Sequence, residues 1–510
     1  MVMPAYPAFN IYSRVASATT ALGPLCVASV VNKMEEWNVE VIDENNLRGY
    51  GPKDASGRAD HEFLQNIRPA DVIGLYGGLT STIPRLYEIA RFYKNKGVIV
   101  IAGGQHFAKE TIPEALNSSI NYIVLGEGEE TVRELLLALE GKGDVSKVKG
   151  IAYRNKNEIV HTQPREPITD FDKFPLADFS LVRYAKIKVY PVERIRGCGM
   201  DCEFCTVKGK PRYASPERLF EHISYLVETR DARHFFIVDD LFGQHRDETI
   251  RFCRMLENYQ KNTRRLDIFV QIRLDKAKDR ELLSVMRAAG INTVAIGFES
   301  PIKEELDAMN KHMKPEDMIA LARIFHKFGF LIHGMFIFGY PIKGEVKFRM
   351  SATQRIKHFR KFIRKAKIDT IQVLIAGPLP GTELRRRLLE QNRVFPVQDV
   401  GWQYYDGNFP LFEPDEPLTA QELQASTKKI MGKFYRFGYI VNIGVNIVSF
   451  PSMVFFLYNI KIGWRIWYRP WRNALARFGG WVIMRKWTRE FKRDRFLEKI
   501  KKAQRHIKNV

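Results

Sequence analysis

Compact apolar runs alternate with helix-like stretches along about the first 160 residues. Residues 39–43, 72–76, 98–102 and 122–125 are short apolar segments bounded by glycine or polar residues, the pattern of buried strands, and 86–93 repeats its apolar positions at helical spacing. Glycines follow the strands at Gly77-Gly78, Gly103-Gly104 and Gly126-Glu127-Gly128. In an open parallel sheet that edge is where a ligand sits, so an α/β, doubly wound domain is expected over residues 1–155. Pro164, Pro167 and Pro175, with little periodicity around them, mark 156–188 as a linker.

Strand-like segments then recur at 192–195, 235–238, 268–272, 293–298, 331–338 and 370–375, alternating with helical stretches. Six such units predict a partial (β/α)6 barrel over 189–400. The rest, 401–510, changes character. Residues 437–460 carry no charge, and Trp464, Trp467, Trp471, Trp481 and Trp487 then stand among dense Arg and Lys, which predicts a basic, mostly helical C-terminal region.

Composition sharpens this picture in two places. The chain of 510 residues is 45% apolar and 27% charged, as a folded multidomain protein is. Its net charge of +22 is concentrated: residues 431–510 hold 18 Lys and Arg against Glu490, Asp494 and Glu498. A uniformly basic nucleic-acid binder is therefore not expected, although RNA stacking on the tail stays open beside two other readings. One is an in-plane anchor on an anionic membrane, since Asn442, Asn446, Ser449, Pro451 and Ser452 make a poor spanning helix. The other is a helical lid packed on the barrel. The opening Met-Val-Met-Pro-Ala-Tyr-Pro lacks a basic and then apolar leader, and five cysteines make no disulfide framework. A cytoplasmic protein, peripheral on the inner membrane face, is expected.

The chemistry lies in Cys198-Gly-Met-Asp-Cys202-Glu-Phe-Cys205, directly after a predicted strand. Three thiolates at this spacing can bind a four-iron four-sulfur cluster and leave one iron without a protein ligand. A zinc site would want a fourth ligand nearby, and the histidines that follow, His222 and His234, are distant in sequence. A four-cysteine electron-transfer cluster would need Cys26 or Cys253, which lie in apolar segments and read as core thiols.

The spacing CxxxCxxC, with Phe204 before the last cysteine, resembles the signature of the radical S-adenosylmethionine (SAM) superfamily. The resemblance continues along the predicted strands. It implies that Asp239 and Asp240 face the methionine end of SAM, that Gln271 and Arg273 lie on the third strand, and that Glu299, in Gly297-Phe-Glu299-Ser300, approaches the ribose. Gly339 falls beside adenine, and Pro380-Gly381-Thr382 closes the sixth strand.

The first region resembles the cobalamin-binding domain that precedes the radical domain in one large subfamily. The matching pieces are Leu22-Gly23-Pro24-Leu25, Val41-Ile42-Asp43, Gly77 to Ser81, Gly103 to His106 and Leu125 to Glu129. Gly103, Gly104, Gly126 and Glu127 would allow close backbone approach to a large cofactor, and the hydroxyls of Thr80 and Ser81 would bond its nucleotide tail. One departure is plain. Many cobalamin proteins place a histidine in Asp-x-His-x-x-Gly after the first strand, and the stretch taken for that turn, Asp43 to Gly49, has none. His106 reads as a surface or pocket residue rather than a cobalt ligand.

The resemblance implies an enzyme in which the cluster generates a 5′-deoxyadenosyl radical that removes hydrogen from an unactivated carbon. Methyl transfer from methylcobalamin, replenished by a second SAM, is the first reading. Ring formation of the anaerobic porphyrin-ester cyclase type is the second, and a membrane-docked iron-sulfur electron carrier is the non-enzymatic alternative. The expected partners are a small or lipid-like substrate and a reduced donor such as flavodoxin or ferredoxin.

Overall fold

A computed structural model describes residues 1–311, 313–344, 348–448 and 460–508. Two sheets carry it, the first mixed and the second parallel. The first has eight strands: β1 (Val2–Met3), β2 (Val41–Asp43), β3 (Val72–Tyr76), β4 (Ile99–Gly103), β5 (Tyr122–Val124), β6 (Ile151–Asn155), β7 (Glu158–His161) and β8 (Val182–Arg183), in the order β7-β6-β5-β4-β3-β1-β2-β8. Pairing is parallel from β8 across to β5 and antiparallel through β6 and β7. The reversal of strand order beside β1 leaves a crevice at the strand ends, as doubly wound sheets do.

Two sequence-based expectations are corrected here. The first strand is Val2–Met3, in the interior of the sheet, so residues 41–43 form the second strand. The stretch 156–188 is no free linker either. It contributes β7 at one edge and β8 at the other, so the chain crosses the whole sheet before entering the second domain.

The second sheet has six parallel strands: β9 (Val189–Val192), β12 (His234–Phe242), β13 (Asp267–Ile272), β14 (Ile291–Glu299), β15 (Leu331–Phe338) and β16 (Thr370–Ile375), ordered β16-β15-β14-β13-β12-β9. Helices such as Pro216–Arg230 and Arg246–Asn262 lie between them. The first strand lies three residues earlier than 192–195. Directly after β9 the chain forms a separate short ladder, β10 (Ile195–Arg196) against β11 (Arg212–Tyr213). One contiguous core runs through both sheets into the C-terminal helices.

Residues after 400 begin as part of the barrel rather than as a separate unit. The Ile375 amide donates to Gly407 O at 2.7 Å, and the Tyr435 hydroxyl bonds both polar groups of Ile371, covering the open edge of β16. Farther on, Trp487, Phe491 and Phe496 are buried, with Phe491 stacked on Phe409 and Phe496 meeting it edge-on. This part of the aromatic tail is therefore a packed lid. The side chains of Trp464, Trp467 and Trp471, and residues 449–459 of the uncharged run, lie outside the described residues. Among the described residues no helix is long and apolar enough to cross a membrane.

Candidate active site

The ladder of β10 and β11 closes a loop, residues 197–211, that carries all three cysteines at the C-terminal edge of the six-stranded sheet. Gly197 starts it at φ +85, where an added Cβ would come within 2.6 Å of Lys210 O, so only glycine fits. The loop is pinned on both sides. Asp240 Oδ2 accepts from Gly197 N at 2.6 Å, and Gln244 Nε2 donates to Cys198 O at 2.8 Å. Between the second and third cysteines, buried Glu203 accepts from the Tyr340 hydroxyl at 2.6 Å and from Arg387 Nε at 2.7 Å. Nothing in the sequence singled out Glu203, because a carboxylate between Cys202 and Phe204 looks like an ordinary solvent-facing loop residue.

Burial and the neighbouring thiolates push Cys202 and Cys205 above the usual thiol range. Cationic iron reverses that penalty, since a metal deprotonates the thiols that bind it. Among the described residues no three His, Cys, Asp or Glu converge on a single-ion site. Cys253 is fully buried and Cys26 lies in the first domain near Glu193, so neither joins the loop.

The residues assigned to SAM divide by location. Phe204 meets Tyr340 edge-on at 6.1 Å, Gln271 Nε2 reaches Asp240 O at 3.4 Å, and Arg273 Nη1 lies 2.9 Å from Met200 Sδ of the cysteine loop. Glu299 pairs with Lys311 at 2.9 Å, and Lys311 also acts electrostatically on Cys202. Glu299 sits at φ +59, a left-handed conformation costly for a side chain, and fills the space that a Cβ on Gly297 would take. These groups surround the loop. Asp239 and Gly339 do not share that position. Asp239 lies beneath, fully buried, with Oδ1 accepting from Arg194 N at 2.6 Å and Ile195 N at 2.9 Å, and burial pushes its carboxyl up to about 7. Gly339 turns its free face to Leu423 of the Ala420–Phe434 helix.

The first domain offers a cavity of about 900 Å³ between its sheet and two helices, Leu22–Val31 and Gly128–Leu139. Gly23, Val27 and Val31 line one wall and Val132 and Leu136 another, and Gly103, Gly104, Gly126 and Glu127 stand at its strand-end rim. Gly104 is required there, because at φ +130 a Cβ would lie 2.5 Å from the Gly77 carbonyl carbon. A long cleft with a glycine rim suits a cofactor that inserts a tail beside the sheet. Thr80 and Ser81 do not line it; they are buried in a short 3₁₀ turn, with Thr80 Oγ1 at 3.4 Å from His106 Nδ1.

The turn after the true first strand reads Pro4-Ala5-Tyr6-Pro7, again without histidine. A second cavity of about 200 Å³ at these strand ends is lined by Tyr6, Tyr12, Asp43 and Tyr76 among others. His106 is buried, not at a surface or in either cavity, and meets Trp402 edge-on at 4.9 Å. Burial first, and Arg385 second, lower its imidazole to about 3, so it stays neutral.

The two strand-end edges meet. Glu127, at the cavity rim, accepts from Arg196 at 3.1 Å and Arg212 at 2.7 Å, the two arms of the ladder that closes the cysteine loop. Arg196 also pairs with Glu129 at 2.7 Å, and Thr206 Oγ1 donates to Gln105 Oε1 at 3.0 Å. Replacing Arg196 by Met strips buried Glu129 and half-buried Glu127 of their common partner, leaving Glu127 only Arg212. The variant is expected to be less stable by about 3 kcal/mol. Urea unfolding followed by circular dichroism measures this, and an unchanged midpoint would contradict the bridge.

Comparison with known proteins bears on this pair of domains. Residues 12–136 match the B12 binding domain and residues 192–352 the radical SAM superfamily. The chain is a radical SAM enzyme with a B12-binding domain. An uncharacterized methyltransferase of Pyrococcus horikoshii is 27% identical over 452 residues, covering 85% of this chain and 92% of its own. The anaerobic magnesium-protoporphyrin IX monomethyl ester cyclase of Rubrivivax gelatinosus is 25% identical over 403 residues, covering 74% of this chain and 67% of its own. The solved structure of the cobalamin-dependent SAM radical enzyme OxsB, with aqua-cobalamin and SAM bound, superposes with a TM-score of 0.64 at 16% identity, over 100% of this chain and 83% of that one. The cluster and SAM therefore belong to the second domain of this radical SAM enzyme, and cobalamin to its first.

Proposed function

We propose that this enzyme transfers a methyl group to an unactivated carbon of a small or lipid-like substrate. The observation that carries the reading is the interface itself, where the cysteine loop and the glycine-rimmed cavity face each other across Arg196 and Glu127. When bound, the cluster and SAM supply a carbon radical, and cobalamin supplies the methyl group.

The chain's own residues bind and position. Cys198, Cys202 and Cys205 hold the cluster, and Asp240, Gln244 and Glu203 fix their loop. Phe204, Gln271, Arg273 and Glu299 are the SAM contacts, with Glu299 offering carboxylate oxygens to ribose hydroxyls. Asp239 is a positioning residue beneath them, and Gly339 shapes the wall near Leu423. Gly103, Gly104, Gly126 and Glu127 border cobalamin, and Arg196 and Arg212 tie that rim to the cysteine loop.

The test needs no substrate. Cobalamin-loaded, reduced enzyme given SAM is expected to release S-adenosylhomocysteine in proportion to its cobalamin content. A ring-forming enzyme of the ester-cyclase type would release 5′-deoxyadenosine without it, and that result would overturn methyl transfer. A flavodoxin or ferredoxin is the proposed electron donor, and the basic C-terminal region is proposed to meet the anionic face of a membrane.

A further inference from the structure

We infer that the groove between the Ala420–Phe434 and Ile460–Arg493 helices binds the phosphate groups of anionic bilayer lipids. This rests on the membrane reading above and gives it a site. The groove encloses about 890 Å³ and is lined by Lys428, Lys429, Arg436, Arg485, Arg489 and Lys492, with no acidic side chain among its lining residues. Six cations facing one space repel one another. Burial first, and then the Lys492 charge, lower the Lys428 ammonium to about 8, and it rests over the Phe491 ring at 3.3 Å. A row of phosphates supplies counter-charge to the six cations.

The surroundings choose the source of the phosphate. Phe437, at the mouth, is 54% exposed and packs on Trp481 at 5.1 Å. The next helix, Tyr439–Val448, exposes Ile440, Val441 and Val445 to solvent. Aliphatic side chains give nothing to nucleic-acid bases, which stack on aromatic rings, whereas they enter the acyl boundary of a bilayer. Basic groove and apolar helix together form the two-part signature of an interfacial site, with charge drawn to the headgroups and apolar groups inserted beside them.

Full-length protein is tested by flotation with phosphatidylglycerol vesicles and with phosphatidylcholine vesicles. Wild type is expected to float with the first and at least about tenfold more weakly with the second, with partial weakening in salt, because screening acts on the charges and not on the inserted side chains. The triple variant Lys429→Glu, Arg485→Glu, Arg489→Glu, all exposed positions, is expected to lose at least about tenfold in binding to phosphatidylglycerol while still cleaving SAM. Lys33→Glu, Lys94→Glu, Lys147→Glu removes the same charge from the first domain and is expected to bind as wild type. If the groove variant floats like wild type, the groove is wrong and membrane contact survives elsewhere. If wild type floats with neither vesicle, or binds single-stranded RNA instead, both readings fall.

Discussion

Cys198→Ala, Cys202→Ala and Cys205→Ala enzymes, reconstituted anaerobically, are each expected to lack the iron-sulfur absorption and to form no 5′-deoxyadenosine from SAM. Each thiolate supplies one iron ligand, and a cubane left with two protein ligands is neither retained nor open at a single iron. The loop itself should survive, because its anchors are polar contacts to Gly197 N, Cys198 O and the Glu203 side chain rather than to the sulfurs. Circular dichroism should therefore match wild type. Cys26→Ala and Cys253→Ala are expected to keep both cluster and cleavage. If Cys253→Ala lost the cluster while Cys198→Ala kept it, the ligand assignment would be wrong.

A Gly23→Trp enzyme is expected to be purified without cobalamin while retaining its cluster and its SAM cleavage. Gly23 lies in the Leu22–Val31 helix and lines the 900 Å³ cavity, and a Cβ placed there meets nothing within 4 Å. An indole can enter that space without displacing protein atoms, so it competes with the cofactor and not with the fold. Gly23→Ala is the control. It leaves the cavity open, so it should bind cobalamin normally. Cobalt analysis beside iron analysis reads the outcome directly. Full cobalt in Gly23→Trp would place the cofactor elsewhere.

Much of the site was legible because the residues that carry it are close in sequence or sit on long strands. The cysteine spacing spans eight residues, and 331–338 and 370–375 coincide with β15 and β16 since both are apolar runs of strand length. The first sheet was harder. Val2–Met3 is too short for any periodicity to register, yet it is an interior strand because β2 and β3 pair with it on either side. β7 and β8 were hidden by the prolines between them. Asp239 and Asp240 are adjacent in sequence and read as equivalent, but strand alternation sends one under the sheet to hold Arg194 and Ile195 and the other up to the cysteine loop. Glu203 and Trp487 owe their burial to partners far along the chain, which no local pattern reveals.

The central claim is that the cysteine loop presents SAM to a cluster with one open iron. Electron paramagnetic resonance of the anaerobically reconstituted, dithionite-reduced enzyme tests it most directly, with and without SAM, with product analysis on the same samples. The account predicts a reduced four-iron cluster whose signal changes when SAM is added, together with formation of 5′-deoxyadenosine. A fully assembled, reduced cluster whose signal is indifferent to SAM, with no 5′-deoxyadenosine formed, would contradict it.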